Sequence, residues 1–546
     1  MIWQPSSHRA KPSLPTAMML VWMMYKVKYI HEIYLEEIDC MAINQLKTGA
    51  ILNYVVLGLN ALVGLAYTPF MLRMLGKSEY GLFALAASVI AYLSMLDLGF
   101  GNAVIRYTAK FRAEGKTEEQ YYMFGMFTML YSVLGFIVLL AGVLLYQHLD
   151  CIFGQSLTVA ELGKARVIVL LMVFNLAVTF PLSIYGAIIS AYENFIFLRV
   201  VQIARILLNT AVMIILLSYG YKAIAMVVVQ TAFNIITLFL NVVYCRRKIN
   251  IKVKFGKVDK RLLKEISIYS FWIFLNTIMD RIYWSTGQFV LGAMVGTVAV
   301  AVFAVAIQLQ GMYMMFSTAI VGVFLPRVTA MVTKNNDKKE LSDLFIRTGR
   351  VQYVVMAFIL SGFIVFGKYF IRFWAGDGYG DAYTIALLFL VPLTIPLIQN
   401  LGITILQARN QMRFRSEVYV IIALISLGFQ IPLAKYYGGI GCAMAIAGAL
   451  TLGQIIVMNI YYHKKQGLDI IGFWKEIIQM SIVPFLLCTA AICVLHFYPI
   501  LTFKNMCLGI MIFTALYIPL FMKLSMNRYE RNLVLAPIKK IFLRND

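Results

Sequence analysis

The chain has 546 residues, of which 61% are hydrophobic and 13% charged, and its mean hydropathy is +0.80. A soluble domain carries roughly 25% charged residues, so lipid has to cover much of this surface. The net charge of +23 does not point to nucleic acid, because a nucleic-acid reader interleaves basic residues through a polar domain, and here they sit in short loops between long apolar runs. That distribution fits a multi-span protein with its basic loops on the side of an anionic inner leaflet. The seven cysteines show neither CxxC spacing nor a regular framework and call for neither disulfides nor zinc.

In chain order, residues 1–40 differ from everything after them. Their one apolar stretch, Ala17 to Tyr25, is too short to span a bilayer, and no small-residue cleavage site follows it. Met41 reads as a fresh start, so residues 1–40 are expected to be an extension, non-native, interfacial or disordered. After it, about 20 apolar residues being needed to cross, the sequence predicts an all-α integral membrane fold of about fourteen transmembrane helices. They run roughly over 50–72, 81–104, 121–146, 167–190, 196–219, 223–245, 265–293, 297–325, 351–373, 383–408, 416–436, 438–462, 476–497 and 505–524. Lys and Arg concentrate in the loops after even-numbered spans, which predicts that both termini face the cytoplasm.

The most basic loop, residues 246–264, separates the sixth span from the seventh. It predicts a six-helix lobe over 41–245, a second six-helix lobe over 265–462, and two additional helices with a basic tail over 463–546. A weak internal repeat agrees. Leu59-Asn60 recurs as Leu275-Asn276, and the run from Gly76 aligns with the run from Gly296 so that Phe83-Ala84 and Ala86 match Phe303-Ala304 and Ala306. Six helices separate the copies, so both enter the membrane from the same side, as in a parallel repeat about an axis along the membrane normal.

Polar groups within a bilayer are costly and normally face protein or a water-filled cavity. Asn53, Asn60 and Tyr67 repeat every seven residues on the first span, beside Gly64; Gln202, Arg205 and Asn209 line the fifth. The sixth carries Gln230 and Asn234, the seventh Asn276, Asp280, Arg281 and Trp284, and the eighth Gln308. A lone amide serves equally well as interhelical glue, at about 0.6 kcal/mol on average. A charge at a helix centre costs about 2.5–3.5 kcal/mol even on insertion scales, so Arg205, Asp280 and Arg281 stand out. Asp280 and Arg281 are adjacent and point about 100° apart, which predicts separate partners. Asp97 reads as a helix-end polar contact.

Enzyme signals fail on context. Gly99-Phe100-Gly101 lies within an apolar span, and no Walker A, HExxH or nucleophile-elbow pattern occurs, so no cofactor, metal or catalytic residue is expected. No large extramembrane domain is left for a glycan polymerase or transferase. A scaffold for a glycan-assembly complex would tolerate loss of the intramembrane polar residues, whereas a transporter would not.

Two first-lobe runs carry a family resemblance: Arg73-Met-Leu-Gly-Lys-Ser-Glu-Tyr-Gly-Leu-Phe83 and Leu96-Asp-Leu-Gly-Phe-Gly-Asn-Ala-Val-Ile-Arg106. They resemble the polysaccharide transporter, or oligosaccharide flippase, family, of the superfamily that includes multidrug extruders and lipid II flippases. The resemblance implies a V-shaped pair of six-helix bundles that alternates between two openings in the bacterial cytoplasmic membrane. It also implies a lipid-linked glycan whose undecaprenyl diphosphate tail stays in lipid, with membrane lipids and glycosyltransferases or a polymerase of the same pathway as partners. Arginine suits a diphosphate, and Arg205 and Arg281 are the candidates for it, with Asp280 the candidate for ion coupling. A cation-coupled multidrug exporter is the alternative; cationic substrates favour an acidic cavity, and these candidates lean basic.

Overall fold

The computed structural model describes the backbone of residues 14–256, 277–321, 337–409 and 411–532, with isolated positions between and after them; side chains are described at 45 and, from 48 on, through these stretches except 319–321. The described residues are helical or in short turns, with no strand. The helices are α1 (Leu14–Leu93), α2 (Phe100–Ala113), α3 (Thr117–Phe153), α4 (Val159–Ala191), α5 (Phe195–Ser218), α6 (Ala223–Arg247), α7 (Thr286–Met294) and α8 (Thr297–Val321). Then come α9 (Lys338–Trp374), α10 (Asp381–Ile398), α11 (Asn400–Ala408), α12 (Met412–Leu450), a π-helical segment (Thr451–Val457), α13 (Met458–Lys464), α14 (Ile470–Phe497) and α15 (Phe503–Leu524).

Among the described residues, eleven helices are long and apolar enough to cross a membrane. Two of these, Thr48–Ala113 and Arg413–Lys464, each contain two of the predicted spans, because the helical path breaks at Gly76 (φ 75°) and at Gly438 (φ 56°). The start of the seventh predicted span, residues 265–273 with 275 and 276, lies outside the described residues. The protein is an all-α, multi-pass membrane protein.

Two predicted spans are interrupted. The 81–104 span stops at Leu93, tightens into a 3-10 turn over Ser94–Asp97, and restarts as α2 only after Leu98 and Gly99, both left-handed with φ of 53° and 70°. The Asp97 carboxylate lies near the Tyr131 hydroxyl of α3 and the Gly99 N–H, at the break itself. The 383–408 span breaks at Gln399, after Pro392 and Pro396 have each removed a backbone donor.

Packing separates lipid-facing from protein-facing sides. On α3, Met129, Val133, Phe136, Leu140 and Leu144 are exposed at helical spacing, whereas Phe124, Phe127, Tyr131 and Val138 are buried against α4 and α2. Helices α1 to α6 pack mainly on one another, and so do α7 to α13. The last two helices form a smaller core with α9, where Phe366 meets Phe513 edge to face at 5.8 Å. Arg350 of α9 anchors the chain beyond α15: its Nε donates to Glu530 at 2.6 Å, its Nη2 to the other Glu530 oxygen at 2.9 Å, and Glu476 of α14 takes Nη1. Arg350 and Glu530 are both buried.

Candidate functional site

The two helix groups meet along a seam built by α1 on one side and α7 and α8 on the other. The chain turns at Gly76 between the two halves of α1 and at Gly296 between α7 and α8, and both glycines take positive φ, 75° and 118°. The first half of α1 lies along α8, where Gln308 donates to Thr68 Oγ1 at 2.6 Å and to the Gly64 carbonyl at 3.4 Å. The second half lies along α7, where Leu85 packs on Gly292 and Tyr92 hydrogen bonds Thr286. Gly81 sits so close to Thr297 that a Cβ there would overlap its carbonyl oxygen.

Around these corners one end of the seam is closed by polar contacts between the groups. Glu161, held by a capping box with Thr158 at the start of α4, accepts Ser78 from the first group and Thr297 Oγ1 at 2.8 Å from the second. Ser156 donates to the Gly292 carbonyl, Arg73 Nη2 to the Phe373 carbonyl at 2.9 Å, and Trp374 Nε1 to the Leu65 carbonyl at 2.8 Å. Lys77 lies 5.6 Å from the centroid of the Tyr379 ring. At the opposite end the described contacts stay within a group: Lys254 with Glu118 at 2.6 Å, Arg112 Nη1 with the Ala191 carbonyl at 2.8 Å, Arg409 Nη1 with Gln466 Oε1 at 2.8 Å. There Glu118 holds the Lys254 ammonium's pKa above its ordinary value.

The charged candidates of the second group gather in one cluster. Asp280 is exposed and lies within electrostatic range of Arg415 and Arg281; it forms no ion pair within 4 Å among the described residues, in keeping with the 100° between neighbours. The sequence alone does not single out Arg415, which stands at the start of a span among other interfacial cations. Its guanidinium lies 4.6 Å from the Tyr419 ring centroid, and its buried Nε has no hydrogen-bond partner among the described residues. Tyr419 meets Tyr283 edge to face at 5.4 Å, and Trp284 meets Phe389 at 5.9 Å.

The first-group candidates divide by what their polar atoms do. Asn234 donates to Asn175 Oδ1 at 2.8 Å and Thr179 Oγ1 at 2.7 Å, so its amide joins α6 to α4. Gln202 accepts from Arg199 at 2.9 Å, and Gln308 spans the seam. Arg205, Asn53 and Gln230 are half-buried and Asn60 is exposed; the Tyr67 hydroxyl and Asn209 Oδ1 are buried without hydrogen-bond partners among the described residues. Asn276 lies outside the described residues. The seam hub Glu161 carried a readable signal, the capping-box pattern Thr158-x-x-Glu161, but nothing in it told that Ser78 and Thr297 would converge there.

Among solved structures, the fold is similar to the lipid II flippase MurJ in an inward closed conformation, with a TM-score of 0.65 at 14% identity over 87% of this chain and 99% of that one. It is also similar to an inward-facing multidrug resistance MATE transporter of the MOP superfamily, at 0.55 and 13% over 80% and 99%. A Salmonella typhimurium protein described as "Putative O-antigen transporter" is 24% identical over 285 residues, which span 51% of this chain and 64% of that relative's length. Residues 46–332, more than half the chain, match the family described as polysaccharide biosynthesis protein, and the chain belongs to that family.

Proposed function

We propose that this protein is an alternating-access flippase that carries a lipid-linked oligosaccharide, with an undecaprenyl diphosphate anchor, across the bacterial cytoplasmic membrane. Two lobes, 41–245 and 265–462 joined by the basic segment 246–264, would rock about the seam, with the two further helices riding on the second lobe. The observation that carries the reading is the seam itself: two helix groups closed against each other at one end, with Asp280, Arg281 and Arg415 clustered on one of them. Family membership and the O-antigen relative support the substrate class. With both termini cytoplasmic, as the basic loops predict, the closed corners would face outward.

Chemistry follows from charge. A diphosphate leaving water needs cationic donors, and arginine offers a planar fork that matches its oxygens. Arg281, Arg415 and, from the other lobe, Arg205 are assigned to it; Tyr283, Trp284 and Tyr419 offer faces and hydroxyls to sugars. Asp280 neighbours two of these arginines, so a cation or proton bound there would alter their hold on an anion. That puts ion coupling and substrate release in one cluster.

The test is translocation of a lipid-linked oligosaccharide in vesicles by Arg205→Gln, Arg281→Gln and Arg415→Gln variants, with protein amount measured alongside. A charged hydrogen bond contributes about 1.5–3 kcal/mol, so each change should slow flipping roughly tenfold or more, and Arg→Lys should restore part of it because the charge remains but the fork is lost. Wild-type rates in all three Gln variants would remove the anionic ligand and favour a multidrug exporter.

A further inference from the structure

The polar ends of α12 and α13 form a feature outside the charged cluster of Asp280, Arg281 and Arg415. Ile460, Tyr461, Lys464 and Lys465 follow one another at i, i+1, i+4 and i+5 and so share one side of α13; Arg413, Phe414 and Glu417 face them from the first turns of α12. Together they line a crevice of about 710 Å³. Phe414 and Tyr461 stack at 4.1 Å and 13° to form one wall. Its floor is a polar network: the buried Gln466 donates to Gln411 Oε1 at 2.8 Å and accepts from Arg409 at 2.8 Å.

Charge and hydrophobicity are graded along this crevice. Below it the same sides of the helices present exposed Ile421, Leu424 and Ile425 on α12 and Ile456 and Ile460 on the facing helical segment, a continuous apolar surface toward lipid. Above it are Arg413, Lys464 and Lys465. Arg413 is matched by Glu417 at 2.8 Å, whereas neither lysine has an ion-pair partner among the described residues. The crevice is therefore net positive at its mouth and apolar along its length. Arg415 and Tyr419, which belong to the charged cluster beside Asp280, lie on another side of α12, about 200° round the helix from Arg413 to Arg415 at 100° per residue.

We propose that this crevice binds an anionic glycerophospholipid, with the phosphate at Lys464 and Lys465 and the acyl chains along Ile421, Leu424 and Ile456. A zwitterionic lipid would leave the surplus positive charge unmatched, and a free phosphate would leave the apolar half unused. Basic pockets between membrane helices near the interface are suited to anionic headgroups, and stacked aromatics at that level fix the depth. The inference needs only that the chain spans a membrane and is independent of what the protein transports.

The experiment uses the full chain purified in neutral detergent, with phosphatidylglycerol, phosphatidylcholine or inorganic phosphate added, and reads retained lipid by native mass spectrometry and the midpoint of thermal unfolding. Wild type should retain phosphatidylglycerol about tenfold or more over phosphatidylcholine, and a Lys464→Gln, Lys465→Gln double variant should lose that preference. Glu417→Gln removes the crevice's one carboxylate and should increase phosphatidylglycerol retention, which keeps the proposal testable even if the double variant folds poorly. Equal retention of both lipids, an unchanged preference in the double variant, no gain in Glu417→Gln, or equal stabilisation by inorganic phosphate would each overturn it.

Discussion

Among single residues, Gly81 shows how little room separates the two helix groups at the seam. It has no side chain where the Thr297 carbonyl arrives, and a Cβ would overlap that oxygen. Small residues at membrane helix contacts let backbones approach in this way. Gly81→Ala should therefore hold the closed end apart. In a background without native cysteines, since Cys151 is exposed nearby, a cysteine replacing Ser156 should react with a membrane-impermeant maleimide several-fold faster in Gly81→Ala than in its parent. An unchanged rate would show that the seam tolerates the methyl group. The intramembrane charges Arg205, Asp280 and Arg281 are legible in the sequence, because a charge in an apolar span is conspicuous anywhere. Arg415 is not, since its place near a span end resembles that of Arg409 and Arg413.

Elements are joined by a buried ion pair whose strength is best seen by breaking it. Arg350 of α9 reaches Glu530 beyond α15 with both of them buried, and Glu476 of α14 adds a third group. Removing one partner of a buried pair leaves a charge without compensation, at about 3–5 kcal/mol, whereas replacing both by apolar residues is often nearly neutral. Arg350→Ala is expected to lower the thermal midpoint and to make the chain after α15 the first site of limited proteolysis. Arg350→Met with Glu530→Leu should recover most of the midpoint. Equal loss in the single and double variants would mean that shape, not charge, anchors this segment. Element identities are readable from apolar run length, but the breaks at Leu98 and Gln399 are not: hydropathy is blind to a left-handed residue, and Pro392 and Pro396 alone do not fix where a helix parts.

For the molecule as a unit, the proposed alternating access requires the closed end to open. Lys77 and Gly378 lie in contact across it, so Lys77→Cys with Gly378→Cys, bridged by a short thiol crosslinker, should stop transport in vesicles, and cleaving the bridge should restore it. Transport at the parental rate while bridged would exclude movement of one group against the other. The sidedness of that movement is checked by reporter fusions. Those after Lys254 and Lys338 are expected on the cytoplasmic side and one at Gly378 outside, and the same signal at all three would break the helix count.

Local composition is enough to establish the membrane and the helices: about 20 apolar residues in a row are long enough to cross a bilayer and mark a span wherever they lie. The family, too, is legible in the run from Arg73 to Arg106. Which polar atoms are spent on packing is a different matter, and it is settled by the three-dimensional arrangement. Asn234 and Gln308 read like cavity amides, yet their hydrogen bonds go to Asn175, Thr179 and Thr68. Likewise the approach of Gly81 to Thr297, and of Ser78 and Thr297 to Glu161, depends on residues more than 60 positions apart. Hydrogen bonds reach about 3 Å, so their partners are set by how helices cross, which no single span encodes.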